Sequence, residues 1–331
     1  MSPVLRLLLR AALALPAPLA TLGGGPPPTN DRGVSLDADT WRMVWLNTRL
    51  FGGITKATPR AARAAMARSL AIVASRPTHP LDIREDRVPD GPAVRVYRPA
   101  SPCAVLVYLH GGGWVQGDRD THDGFCRRLA AEAGRIVVSV DYRLAPEHPF
   151  PAAVHDTLTA VRWARALGTR IEVGGDSAGG NLAAAACLAL RDAGEPLPAL
   201  QLLVYPALDH TRALPSHRTF ATGFLLTAHD IDWFQAHYAA PPLDPLASPL
   251  LAASHAGLPP AIVTTAGFDP LRDEGEAYVA RLRAAGISAV HLDESTLVHG
   301  YAQMDGALPA ADRAVRRIVA ALLTEHPSTP G

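Results

Sequence analysis

The feature that most restricts what this chain can fold into is a series of short, nearly continuous apolar segments separated by helical ones. The apolar segments are Ala104 to Leu109, Ile136 to Val140, Ile171 to Gly174, Leu200 to Tyr205 and Ala261 to Ala266. A strand that is apolar throughout must be covered on both faces, which is the situation of a parallel strand inside a layered sheet. Between or after these segments lie stretches with helical spacing, at about Asp123 to Ala133, Ala152 to Leu167, Ser177 to Asp192, Leu271 to Ala285 and Ala310 to Leu323. The alternation predicts an α/β fold, with a mostly parallel central sheet flanked by helices on both faces.

Two other regions depart from that rhythm. Upstream, Trp41, Val44, Trp45 and Leu46, then Met66, Leu70 and Val73, recur near helical spacing on either side of Gly52 and Gly53, predicting two helices within residues 35–80. Downstream, His210 to Pro242 sets a Thr-, Phe- and Gly-rich loop and a helix around Ile231 to Tyr238 between two strands, and is expected to lie over the sheet's edge. The Gly- and Pro-rich stretch from Gly23 to Gly33 reads as a linker. The expected division is an N-terminal extension and linker over 1–34, helices over 35–80, and an α/β domain over 81–326 with an insertion at about 210–242.

Composition removes several function classes. Lys plus Arg and Asp plus Glu number 31 each, so no long-range field gathers nucleic acid, an anionic membrane or a highly charged substrate. The expected partner is a neutral small molecule. Lys56 is the single lysine, and the arginines form no cluster. Cys103, Cys126 and Cys187 are odd in number, far apart and without CxxC spacing, which argues against a disulfide scaffold or a zinc site and for a reducing, cytoplasmic setting. The first twenty residues have some look of a signal peptide, although Arg10 interrupts the apolar stretch; export or membrane association through this extension is the alternative. The uncharged run from Ala11 to Gly25 is too short to span a bilayer, and Pro16 and Pro18 would break it as a helix.

The chemistry is concentrated at strand ends. Gly175-Asp176-Ser177-Ala178-Gly179 is a G-x-S-x-G sequence between a predicted strand and a predicted helix, where a nucleophile elbow belongs. The turn is so tight that side chains beside the serine would collide with the neighbouring strand and helix. His110-Gly111-Gly112-Gly113-Trp114 ends another predicted strand; its glycines let the backbone approach a reacting carbonyl and aim N–H groups at an oxyanion. A serine nucleophile needs a base, and the base a carboxylate. Of thirteen histidines, His299 in Val298-His299-Gly300-Tyr301 follows the last predicted strand, whereas His291 lies inside it and His79, His229, His237 and His326 fall on surface segments. Asp269, before Pro270, follows the strand ending at Ala266 and completes the chain order Ser, Asp, His. Asp209 is a rival acid, and a helix N-cap is the alternative role for Asp269. Asp273 and Glu274 read as acids serving the first turn of the following helix.

Together, His110 to Trp114, the stretch Asp141-Tyr142-Arg143-Leu144-Ala145-Pro146-Glu147-His148-Pro149-Phe150-Pro151-Ala152, Gly175 to Gly180, Asp269 to Glu274 and His299-Gly300-Tyr301 resemble the hormone-sensitive-lipase-like esterases, bacterial lipolytic family IV. The resemblance runs from roughly Leu81 to the C-terminus. It implies the α/β-hydrolase fold with a helical cap, formed here by Ser35 to Ala74 and His210 to Pro242. It also implies that the Gly112, Gly113 and Ala178 amides form the oxyanion hole, with His110 and the Asp141 to Ala152 stretch as supports. The implied activity is a carboxylesterase acting on short to medium acyl esters, without metal or organic cofactor. The extension before Asp31 is longer, and the second cap segment shorter around Pro241 to Pro245, than the resemblance implies.

The expectation is thus a serine carboxylesterase with Ser177, Asp269 and His299 as triad. Trp114, Phe224 and Tyr301 are expected to bind substrate, with Phe220 and Trp233 as further candidates for an apolar wall. An amidase or acyltransferase using the same site, or a non-catalytic ligand-binding protein on this fold, are the alternatives. Neither nucleic acid nor stable membrane insertion is expected, and a homodimer is compatible with the pattern.

Overall fold

Every residue of Ala104–Leu109 (β3) is buried, and the reason is visible in its two faces. Val105, Val107 and Leu109 join one apolar layer, while Leu106 and Tyr108 join the other, the period of two that a strand imposes. In the computed structural model of the protein, which describes residues 25–51 and 53–325, the same holds along the sheet's centre. The strands are Asp82–Arg87 (β1), Ala93–Arg98 (β2), β3, Arg135–Asp141 (β4), Ile171–Asp176 (β5), Gln201–Val204 (β6), Ala261–Phe268 (β7) and Ala289–Val298 (β8). They form one sheet in the order β1-β2-β4-β3-β5-β6-β7-β8. β2 runs antiparallel to both of its neighbours, and all other pairings are parallel.

Helices close the two faces. Ala38–Phe51 (α1) and Pro59–Val73 (α2) precede the sheet; Asp123–Ala133 (α3), Ala152–Ala164 (α4) and Ala178–Asp192 (α5) connect its strands. Ser216–Thr219 (α6) and Ala228–Tyr238 (α7) lie between β6 and β7, and Arg272–Ala284 (α8) and Pro309–Thr324 (α9) complete the set. Phe125 of α3 and Val315 of α9 pack in the layer that holds Leu106; Val154 of α4, Leu182 of α5 and Tyr278 of α8 pack in the layer that holds Val107. Each central strand therefore ends its buried run at the same rim, where chain reversals into helices occur. Among the described residues no helix is long and apolar enough to cross a membrane.

The cap is tied to this body by polar contacts at defined points. Arg63 of α2 donates to the carbonyls of Val115 (2.8 Å) and Ala145 (2.9 Å) and forks onto the Glu147 carboxylate. The Thr55 hydroxyl donates to Asp230 Oδ1 at 2.6 Å, and Asp230 also closes the capping box of α7 with Thr227. Ser75 leaves the cap by bonding Asp305 through both its amide and its hydroxyl.

Two expectations need correction here. The insertion between β6 and β7 lies over the carboxyl ends of the strands rather than the sheet's edge, because Phe234 of α7 packs directly on Gly113. Within the stretch read as a linker, residues 25–33 are docked onto the body. Asn30 accepts from the amides of Arg32 and Val34, and the resulting turn holds Asp31 against Arg272 (2.7 and 2.9 Å) and Arg32 against Glu276. Glycine and proline content marked the turn correctly but could not reveal its ion-pair partners some 240 residues away. The signal-peptide reading, the apolar run before Gly25 and His326 lie outside the described residues.

Candidate active site

The geometry starts at the end of β5. Ser177 occupies the turn into α5 with φ 55° and ψ −117°, a conformation that is strained for any residue bearing a Cβ. Only small neighbours permit it: a Cβ on Gly179 would strike the Leu109 carbonyl of β3. The Ser177 amide donates to Val204 O and its carbonyl accepts from Asn181, so the strained turn is pinned on both sides.

Two other strand ends converge on it. His299, immediately after β8, places Nε2 2.9 Å from Ser177 Oγ. Its Nδ1 lies 2.7 Å from Oδ2 of Asp269, which follows β7 and is wholly buried. Asp269 Oδ1 accepts from the Leu271 amide at 2.8 Å, fixing the carboxylate plane. A ring nitrogen facing a buried carboxylate carries the proton, which leaves Nε2 as the acceptor toward the serine. The rival acid, Asp209, accepts instead from the amide and hydroxyl of Thr211.

The glycine run approaches from β3. Gly112 has φ 122° and Gly113 φ 59°, and a Cβ on Gly112 would collide with the Gln116 carbonyl. Among the described residues the amides of Gly112, Gly113 and Ala178 have no acceptor. Such unspent donors at a tight turn and a helix N-terminus are suited to a developing negative charge. The run is held by His110 and the Asp141 to Ala152 stretch, expected as supports, and by Asp176, Tyr108 and His122, to which the sequence assigned no role. The Gly111 amide donates to Asp176 Oδ1 (2.9 Å), the residue before the elbow serine, and Asp176 also accepts from Tyr108 OH at 2.6 Å. Burial alone would raise the Asp176 carboxyl, but the His122 ring, the Tyr108 hydroxyl and the Gly111 amide hold it below the ordinary range. Tyr142, within the Asp141 to Ala152 stretch, stacks on His110 at 4.3 Å and donates to its carbonyl.

A cavity of about 400 Å³ opens onto these groups between the cap and the strand ends. Trp114 lines it, with Phe234, Ile231, Leu226, Met66 and Leu70. The other two substrate-binding expectations are corrected. Tyr301 is fully buried, edge-on to Tyr205, with its hydroxyl spent on Thr264 at 2.7 Å, and Phe224 packs on Phe220 and Phe268; neither lines the cavity. Phe220 and Trp233 are likewise turned into packing contacts. Glu274 is also more than a first-turn acid. It accepts from the amides of Leu208 and Asp209, meets His217 Nε2 at 2.6 Å, and burial raises its carboxyl above the ordinary range. The charge-bearing spacing of Asp273 and Glu274 gave no signal for this, since their partners belong to another loop.

The alpha/beta hydrolase fold family matches residues 106–303 of this chain. Carboxylic ester hydrolase LipN of Mycobacterium tuberculosis is 44% identical over 298 residues, covering 82% of this chain and 79% of that protein. Carboxylesterase NlhH of the same organism is 46% identical over 246 residues, 69% of this chain and 77% of that one. Among solved structures, a thermostable esterase from Pseudomonas putida superposes with a TM-score of 0.82 at 32% identity, over 89% of this chain and 98% of that one.

Proposed function

Because the chain belongs to the alpha/beta hydrolase family, in its hormone-sensitive-lipase-like branch, and is a carboxylesterase, we propose that it cleaves short to medium acyl esters through Ser177, His299 and Asp269 by way of an acyl-enzyme. The observation that carries this reading is the unbroken hydrogen-bonded line from Asp269 through His299 to Ser177, with contacts of 2.7 and 2.9 Å.

In the first half-reaction Ser177 Oγ attacks the ester carbonyl carbon and its proton passes to His299 Nε2. Asp269 keeps Nδ1 protonated and stabilises the imidazolium that forms. The carbonyl oxygen gains charge against the amides of Gly112, Gly113 and Ala178, each such donor being worth roughly a hundredfold or more in rate. His299 then protonates the leaving alkoxide, and the alcohol departs. Water, deprotonated by the same nitrogen, attacks the acyl-enzyme, and collapse of the second tetrahedral intermediate returns the proton to Ser177 and releases the acid. The cavity volume and its methionine and leucine walls support chains of modest length.

Ser177→Ala is expected to lower turnover of a chromogenic butyrate ester by a factor approaching 10⁶, and to abolish labelling by a fluorophosphonate. Retained turnover in that variant would remove Ser177 from the mechanism. A graded series of acyl esters, with kcat/KM falling beyond medium lengths, tests the chain-length reading.

A further inference from the structure

The cavity wall beneath α2 carries hydrogen-bonding groups that the ester reaction does not use. Gln116 is 1% exposed and lines the cavity, yet neither its side-chain nitrogen nor its oxygen has a partner. Gln303 is 4% exposed, lines the same cavity, and its side-chain nitrogen is also unpartnered.

Both side chains come from loops that already serve the reaction centre. Gln116 closes the turn after the glycine run, its amide donating to Gly112 O at 3.0 Å, and Gln303 lies four residues beyond His299. Both loops lie under the same cap helix: Arg63 of α2 holds the Val115 carbonyl, and α2 packs on the turn Tyr301–Met304. The surrounding wall is mostly apolar, with Met66, Leu70, Ile72, Val73 and Met304.

A buried amide group left without a partner is destabilising, and Gln116 leaves both a donor and an acceptor unmet. Leucine or methionine fills a similar volume without that cost, so a wall meant only for alkyl chains gains nothing from two carboxamides. The groups are complementary to a ligand that offers a donor and an acceptor at one atom, which is what a hydroxyl does.

We propose that the cavity beneath α2 selects esters bearing a hydroxyl on the substrate chain, with Gln116 accepting from and donating to that hydroxyl and Gln303 supplying a second donor. This rests on ester hydrolysis at Ser177 and narrows its substrate class. The hydroxyl can belong to the acyl or to the alcohol side of the ester, and the test separates the two.

The experiment measures kcat/KM for four esters by pH-stat: ethyl 3-hydroxybutyrate against ethyl butyrate, and 2-hydroxyethyl butyrate against propyl butyrate. The wild-type chain is expected to favour the hydroxylated member of one pair by about 10–100-fold, the factor that corresponds to leaving a buried amide group unpaired when the hydroxyl is absent. Gln116→Leu is expected to erase that preference, and Gln303→Leu to reduce it. Reading the ratio within a pair cancels any loss of folded protein, and Gln303→Leu keeps the test alive if Gln116→Leu does not fold. Turnover of all four esters without a hydroxyl preference, or a preference that survives in both variants, overturns the proposal while leaving ester hydrolysis intact. No turnover of any of the four overturns both.

Discussion

Ser177 holds its strained φ and ψ because β5, α5 and the Val204 carbonyl leave the turn no alternative, and the strain keeps its hydroxyl facing His299. At this scale the carboxylate's task is to orient rather than to accept a proton. Asp269→Asn keeps the shape but favours the wrong imidazole tautomer, so kcat for butyrate esters is expected to fall by about 10⁴ with KM little changed. A fall in KM affinity alone would contradict that role. The buried imidazoles have a second consequence, in stability. Desolvation, aided at His110 by the neighbouring His122, pushes His110 down to about 4, and desolvation does the same to His210. The unfolded chain protonates these rings near 6.5, so between that pH and 4 it binds more protons than the folded one. Stability is therefore complete above the unfolded value and declines as the pH drops toward 4, by up to about 1.4 kcal/mol per pH unit for each ring. Urea midpoints measured at pH 7.5, 6 and 5 are expected to descend in that order; a flat series would mean that these rings do not remain neutral in the folded chain.

At the scale of elements, α2 acts as a roof held by one side chain with four acceptor atoms. Arg63 reaches the Val115 and Ala145 carbonyls and both oxygens of Glu147, and the guanidinium holds the Glu147 carboxyl down to about 2. The exposed part of that pair contributes little to global stability. The carbonyl contacts, by contrast, set the height of the roof above the turn that carries Gln116. Arg63→Ala is expected to raise KM for butyrate esters by several-fold, with kcat changing less and with the unfolding midpoint nearly unmoved, since a positioned cap lowers the ordering cost of binding. An unchanged KM would place substrate contacts elsewhere than under α2.

For the whole molecule, the rim that bears the chemistry depends on an opposite end locked by a buried ion pair. Arg135, at the start of β4, meets Glu172 of β5 at 3.1 Å with both side chains fully buried, and also donates to Ala133 O and Leu322 O. The pair and the guanidinium's bond to Leu322 O tie two strands to α9. Glu172→Ala leaves the guanidinium buried and unpaired, an expected cost of about 3–5 kcal/mol in a urea titration. Replacing both partners with apolar residues of similar volume is expected to recover most of that loss; equal damage from the single and double changes would show that the pair itself, and not an orphaned charge, supports the sheet.

What the amino-acid order determined alone was local. The strands from β3 to β7, the helices between them, the tight glycine turn at Ser177 and the glycine run after His110 follow from steric limits on the backbone and from the two- and 3.6-residue periods of apolar burial. These act within a few residues and leave a legible pattern. Chain order narrowed thirteen histidines to His299, yet Asp209 stayed beside Asp269 as a candidate until packing set Asp269 against the ring and turned Asp209 to Thr211. Packing also drew Tyr301 and Phe224 into the core, docked the Gly25–Gly33 stretch through Asp31, and buried Gln116 and Gln303 beneath α2. An aromatic ring or a carboxamide can serve a core as well as a cavity, and the side chain alone carries no mark of which. That choice depends on contacts between segments tens to hundreds of residues apart, which only the assembled layers bring together.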